Sequence, residues 1–447
     1  MRTNDADACP VCSGPVADDP RFTSWCPACE WNLAPSSPAP APDCTARGRR
    51  RAERRARKDE ATRRAVRARV ERVYAAASAD RSAVRDPAWL GATVLAGLVH
   101  LATAVLVVAA VALLVAAPTW PLRVLGLFAA LLVFALRPRL GRVPRHGVRL
   151  TRSEAPALFG LTDRVAGALG GRPVDLVVIT SDFNAAYGLA GLRRRRVLQI
   201  GLPLWSVLAP GEQLAVLGHE IGHQVNADSR RGLWLGSAMD ALEEWEQLTR
   251  PDLYRQSFGT FVEAFASAVL QLLVRPFNLA ARHLLGLLGR LTLRSGQAAE
   301  YRADALAAAL AGTEAATGML RTLMLHRTVS TSLLRMRADL ARRPGRSGAR
   351  APVQPWAELA ARIAGVPPLE RERLLRVSAR ELGTVDGSHP PTHLRLRRLS
   401  ERPAVRGRLR SDTAEQAAIA AELAPAARLI AVDLEIGGFT GTGRRVA

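Results

Sequence analysis

Two groups of residues in this chain have the types and spacing needed to hold a metal ion. The first is His219-Glu220-Ile221-Gly222-His223. On a helix, histidines at i and i+4 leave the same face one turn apart, so both imidazoles can reach a single zinc ion. Glu220, beside the first histidine, is then close enough to take a proton from a water activated by that ion without being a ligand itself. With eight histidines in the chain this pattern also arises by chance, and a core helix bearing two polar side chains is the competing reading. The second group is Cys9-Pro10-Val11-Cys12 with Cys26-Pro27-Ala28-Cys29. Thiolates in two such pairs can converge tetrahedrally on one zinc, and so small a unit has little core without the metal. A redox dithiol or a disulfide pair is the alternative. The polar N-terminus lacks the apolar core of a cleavable signal, which points to a reducing compartment and favours metal. Cys44 stands alone as an ordinary free thiol.

Each group needs elements to carry it. Residues 1–33 form the zinc-ribbon-like module, for which a protein partner is expected and nucleic acid is the rival. Residues 34–46 are a Pro/Ala linker, extended and semi-rigid. Residues 47–88 are polar and Arg-rich and predict a helix, either solvated or laid on anionic lipid headgroups. Residues 89–137 hold an apolar segment, Trp89–Ala117, without Asp, Glu, Lys or Arg. Pro118-Thr119-Trp120-Pro121 breaks it, and Leu122–Leu136 follows with only Arg123 interrupting. A transmembrane helical hairpin is the expectation, and a buried helical pair is the alternative. Arginines flank both outer ends, so the positive-inside rule makes the protein multi-pass in the cell membrane, with its N-terminus and following domain cytoplasmic.

Residues 148–402 then turn globular. Ser153–Leu169 reads as an amphipathic helix, and Val174–Ile179 and Arg196–Ile200 read as strands, with Asn184 and Ala185 between them. Pro210 opens the helix bearing the histidines, whose apolar stripe is Leu214, Leu217, Ile221 and Val225. Residues 403–447 read as a peripheral tail with one amphipathic helix near Thr413–Val432.

The order of these blocks resembles the HtpX-type membrane zinc endopeptidases, relatives of the CAAX prenyl proteases. The resemblance rests on Asn184-Ala185 with Tyr187, then Leu208-Ala209-Pro210-Gly211-Glu212-Gln213-Leu214, the histidine pair, Glu300-Tyr301-Arg302-Ala303-Asp304 and Ser388-His389-Pro390-Pro391-Thr392. It implies a mainly α, zincin-like metallopeptidase with a small β-sheet behind the transmembrane hairpin. It also implies that Glu300 completes a His/His/Glu zinc site, leaving one position open for water. Asp304, one turn on, would orient a histidine ligand, and His389 and Arg395 would lie at the cleft, with His389 donating to the oxyanion. The strand near Asn184 and Ala185 would take an extended protein or peptide substrate as an added strand. Two features depart from the family. Ala209 stands where a Ser or Thr often caps the helix. Phe258–Val274 and Pro276–Leu293 carry charges and read as amphipathic helices, on the membrane or around the cleft, and not as further spans.

A net charge of +22 on 447 residues suggests an anionic partner. Lys58 is the only lysine, however, so part of the Arg excess looks like coding bias. Aromatics at 5% argue against a base-stacking surface, and no nucleic-acid partner is expected. The reading is therefore a membrane-anchored zinc endopeptidase with one catalytic and one structural Zn2+. The alternative is a non-catalytic, membrane-tethered scaffold whose zinc module binds protein or nucleic acid.

Overall fold

A computed structural model describes residues 8–35, 87–136, 143–144, 146–191, 193–225, 228–250, 261–342, 355–380 and 390–436, with parts of a basic helix within 53–75. His389 and Cys44 lie outside the described residues. Helices α1 (Pro87–Ala116) and α2 (Trp120–Leu136) precede strand β1 (Val148–Leu150) and helix α3 (Pro156–Ala168). Strands β2 (Leu176–Thr180), β3 (Ala185–Ala190) and β4 (Arg195–Gly201) follow, then α4 (Leu202–Val207) and the histidine helix α5 (Pro210–Val225). Next come α6 (Asp228–Leu248), α7 (Phe261–Ala311), α8 (Thr313–Leu323), α9 (His326–Arg342) and α10 (Pro355–Ala364). The last are α11 (Pro368–Arg380), α12 (Thr392–Ser400) and α13 (Thr413–Ile436). The architecture is mainly helical around one small sheet.

The sheet has the order β1-β2-β4-β3, which leaves β3 on an edge. β2 and β4 run parallel, and their apolar runs suit strands covered on both faces. Val177, Ile179, Leu198 and Ile200 enter the main core, while Val178 and Val197 pack on the other face with Ala190. β3 is antiparallel to β4, pairing Ala185 with Ile200 and Tyr187 with Leu198. Its entry depends on Gly201, where a Cβ would lie 1.8 Å from the Asp182 carbonyl oxygen. The glycine lets the loop cross the end of β4, and its N–H donates to the Asn184 carbonyl at 2.8 Å.

The main core joins the sheet to α3, α5, the end of α7, α8 and α13. α13 is not peripheral: Ile419, Leu423, Ala426 and Ile430 are buried beside Leu158 and Phe159. Glu422 on the same helix accepts from the Ala157 and Leu158 N–H groups at 2.7 and 3.0 Å, which satisfies the open N-terminus of α3.

The segment expected as two amphipathic helices is instead part of α7, a single 51-residue helix continuous through Pro276. At about 1.5 Å per residue it is roughly 75 Å long. Its first half exposes Phe265, Leu272, Leu273 and Phe277, and its last turns enter the main core. Ala92, Ala96 and Val99 of α1 pack on Ala238 and Leu242 of α6 and Leu288 of α7. His100 is satisfied within this cluster, 3.1 Å from the Trp234 carbonyl oxygen with the two rings 4.5 Å apart. Among the described residues α1 alone is long and apolar enough to cross a membrane, and α2 is a shorter apolar helix. α2 lies close against α1, and the Arg123 side chain donates to the Ala117 carbonyl at 3.2 Å.

Truncating the Glu422 cap tests the tie between α13 and α3. Glu422→Ala should cost about 1–2 kcal/mol in urea unfolding of the detergent-solubilised protein, with the slope unchanged. An unmoved midpoint would show that the tail helix does not hold α3.

Candidate active site

α5 begins at Pro210, which suits the first turn because its missing N–H would have had no partner there. Ala209 supplies no capping side chain, but Glu212 reaches back to accept from the Ala209 N–H at 3.1 Å. That is the carboxylate half of a capping box. Leu214, Leu217 and Ile221 turn into the core, which leaves His219 and His223 one turn apart toward α7. The two helices approach closely at Gly218, where a Cβ would sit 2.8 Å from Leu310 Cδ2 and 3.3 Å from the Ala307 Cα. A side chain there would displace Leu310 and crowd the α7 backbone at Ala307.

The close approach brings Glu300 to the histidines. His219 Nε2 and His223 Nε2 are 3.3 Å apart, and the Glu300 carboxylate oxygens lie 3.5 and 3.4 Å from them. Zinc held about 2.0–2.1 Å from each donor tetrahedrally needs donors about 3.3–3.4 Å apart. The donor set and spacing therefore fit a zinc ion, with His219 and Glu300 buried and His223 half-buried.

Behind the triangle, Asp304 Oδ1 is 3.0 Å from His219 Nδ1. Arg395 clamps the same carboxylate, with Nε donating to Oδ2 at 2.8 Å and Nη2 to Oδ1 at 2.6 Å. The Arg395 guanidinium also lies 3.7 Å from Glu300. Burial alone would raise the Asp304 carboxyl, but the Arg395 charge and hydrogen bonds, with His219, hold it down at about 2. Burial likewise pushes the His219 imidazole toward neutrality. In the metal-free protein the Asp304 and Glu300 carboxylates overcome that and raise it to about 9. Asp304 is thus a permanent carboxylate aimed at the ring nitrogen that faces away from the other two donors, the arrangement that fixes a ligand's tautomer.

Glu220 faces the sheet. The Tyr187 N–H donates to Glu220 Oε2 at 3.0 Å. Asn184 uses its carbonyl toward β4, so by alternation Ala185, Tyr187 and Leu189 turn their backbone groups outward along the edge. One turn beyond Glu220, Gln224 donates to the Tyr187 hydroxyl at 2.5 Å and accepts from the Arg172 N–H at 2.7 Å. Asn184 is exposed at the start of the edge strand, and Ala185 is buried as its first residue. The Tyr187 and Gln224 contacts were not anticipated, although Glu220 and Gln224 stand at i and i+4 and their shared direction was readable.

Tyr301, next to Glu300, is buried edge-on against Tyr74 of the basic helix, with centroids 5.6 Å apart. Tyr74 also donates to Glu401 at 2.7 Å, and Val70 packs beside it against Leu394. This helix therefore braces the ligand helix with one face while its described Arg and Lys side chains stay exposed.

The four-cysteine module is a second metal-type cluster. Cys9 and Cys29 sulfurs are 3.5 Å apart, as are those of Cys12 and Cys26, and all four lie within 4.8 Å of one another. Tetrahedral Zn–S bonds of about 2.3 Å need sulfurs roughly 3.8 Å apart, so this set also fits zinc. The knuckle turns use left-handed backbone at Ser13, Glu30 and Asn32.

The characteristic sequence pattern of Peptidase family M48 matches residues 161–403, more than half of the chain. The chain belongs to peptidase family M48. No curated protein and no solved structure matches it. The M48 match starts in α3 and ends beyond α12, so it spans every described residue of the histidine, glutamate, aspartate and arginine cluster. Family membership makes the protein a metallopeptidase, and its substrates proteins or peptides.

Asp304→Asn should lower zinc affinity by about 10–100-fold in competition with a chromophoric chelator. Arg395→Met leaves the aspartate buried without its partner and should cost about 3–5 kcal/mol of stability. Zinc affinity unchanged in the aspartate variant would remove Asp304 from the support of His219.

Proposed function

We propose that this M48 peptidase is a zinc-dependent endopeptidase anchored in the cell membrane, cleaving unfolded or misassembled proteins at the cytoplasmic face. The observation that carries the catalytic part is the meeting of the His219, His223 and Glu300 donors with Glu220 directly under an edge strand. A zinc ion held by those three side chains supplies the Lewis acidity that activates water and polarises the scissile carbonyl. Glu220 takes the proton of the attacking water and delivers it to the leaving amine. The Tyr187 N–H holds the Glu220 carboxylate in place for both transfers. Asp304 keeps His219 in the tautomer that offers Nε2, and Arg395 keeps Asp304 charged. His389 donates a hydrogen bond to the oxyanion, an assignment that rests on the resemblance of the Ser388–Thr392 block to the HtpX-type endopeptidases.

An extended substrate adds to β3 through the outward backbone groups of Ala185 and Leu189 and the Tyr187 carbonyl, the Tyr187 N–H being held by Glu220. Backbone pairing reads little sequence, which suits substrates recognised by being unfolded. Because Glu220 sits on the Tyr187 N–H, a strand laid along this edge brings its peptide bond to the proton acceptor. The four cysteines hold a second, structural zinc.

Membrane anchoring is supported by α1, by the apolar α2 packed beside it, and by the apolar surface of the first half of α7. α1 and α2 form the transmembrane hairpin, with Arg123 reaching back to the loop at its tip. The Arg-rich segments on both sides of the hairpin keep the N-terminus and the peptidase domain in the cytoplasm.

Glu220→Gln should retain the catalytic zinc yet slow casein cleavage by at least about 100-fold, and chelation should abolish it reversibly. A fully active Glu220 variant would overturn the mechanism. Cysteine-accessibility labelling in intact cells should protect residues 1–88 and the peptidase domain alike from an impermeant reagent. Labelling of either from outside would overturn the topology.

A further inference from the structure

One side of the four-cysteine module packs on the peptidase domain, while its first knuckle stays exposed at Val11 and Cys12. Its second knuckle lies on α11, a helix with Arg373, Arg376 and Arg380 at i, i+3 and i+7. Arg373 donates to the Leu33 carbonyl at 2.7 Å, and Arg376 donates to the Pro27 carbonyl at 2.7 Å. The Arg376 guanidinium also stacks over the buried Trp25 ring, 5.2 Å from its centroid. Glu30 pairs with Arg376 and Arg380. Acidic residues of α11 itself orient two of these guanidiniums, Glu370 holding Arg373 and Glu372 holding Arg376. Phe22 joins the apolar cluster of Val329, Leu359, Ile363 and Val366, and Arg21 donates to the Gly365 carbonyl at 3.3 Å.

Pro27 stands between Cys26 and Cys29, so the acceptor used by Arg376 belongs to the knuckle turn itself. α11 also packs against α12, and beside that contact the two helices and α8 line an open pocket of about 370 Å³ that includes Leu375, Ala379, His393 and Leu396. The module therefore supports α11 on one side while α11 touches α12 on another. α12 carries Arg395, the clamp on Asp304.

We propose that the module is an internal brace whose partner is this chain's own α11, and that metal in its cysteines sets the position of Arg395 at the peptidase site. Arg376 is the positioning residue of this device. Opening the knuckle withdraws the Pro27 carbonyl, frees α11 and loosens α12, so that His219 loses its fixed carboxylate. The kinetic part of the idea rests on the peptidase reading above, while the structural part does not.

The test uses the full-length protein in detergent, with Arg376→Ala, Arg376→Lys and the Cys26→Ser/Cys29→Ser pair. Amide exchange over residues 368–380 and 392–400 should quicken about tenfold in both Arg376→Ala and the cysteine variant. Casein cleavage should lose about tenfold in kcat with KM within about twofold, because the substrate edge is untouched. Metal analysis should find both zinc ions in Arg376→Ala and only the catalytic one in the cysteine variant. Arg376→Lys, which can still donate to Pro27, should recover part of the exchange protection and of kcat. Wild-type exchange over 368–400 in a cysteine variant that has lost its zinc would overturn the brace, as would wild-type exchange and kcat in Arg376→Ala should the cysteine variant fail to fold. A wild-type protein that cleaves nothing would overturn the peptidase reading alone, since exchange still reports on the brace.

Discussion

Behind the triangle of His219, His223 and Glu300 a guanidinium and a carboxylate meet in nearly complete burial, and the peptidase domain is arranged around that meeting. Either charge alone in such a place would cost several kcal/mol, and the pair is tolerable because two parallel hydrogen bonds join them. Arg395 and Asp304 come from α12 and α7, and the aspartate points at His219 on α5. Three helices distant in sequence are therefore bound to one another by a single electrostatic requirement. Gly218 eases the requirement, because a Cβ at that position would press on the Leu310 methyl and on the backbone of α7 at Ala307.

Much of this was readable from residues. The histidine pair follows from one-turn spacing on a helix, a geometric fact before any tertiary structure is known, whereas Glu300 and Asp304 were legible only through the resemblance of their block to a known family. The parallel strands were readable as apolar runs, though β1 is only three residues long and carries no pattern of its own. The joints were less legible. Glu422 capping α3 and Tyr74 bracing Tyr301 are contacts across hundreds of residues, and neither partner's local sequence announces the other. α7 misled for a different reason. Pro276 and scattered charges ordinarily mark a boundary, yet packing of Leu288 against α1 and α6 carries the helix on to Glu300.

The N-terminal part of the chain also proves less separable than its linker and composition suggested. Its basic helix and its cysteine module each touch the peptidase domain, one beside Glu300 and the other on α11. Arginine, abundant here for reasons that include coding bias, serves as the common fastener. Its fork reaches backbone carbonyls of the module and its plane stacks on Trp25 and on Tyr74.

One rod joins two environments. Phe265 and Glu300 belong to the same uninterrupted helix, and no loop separates the greasy end from the end that holds the reactive centre. A loop would absorb tilt or twist, whereas a helix transmits both. Pro276 leaves a missing rung in the ladder, because it lacks the N–H for a bond to the preceding turn. Any bending force on the apolar end is shared between that proline and the packing of Leu288 on α1 and α6 before it reaches Glu300. The protein thus resembles a torsion bar with a soft point at Pro276 and a clamp further along, both set ahead of the end that bears Glu300.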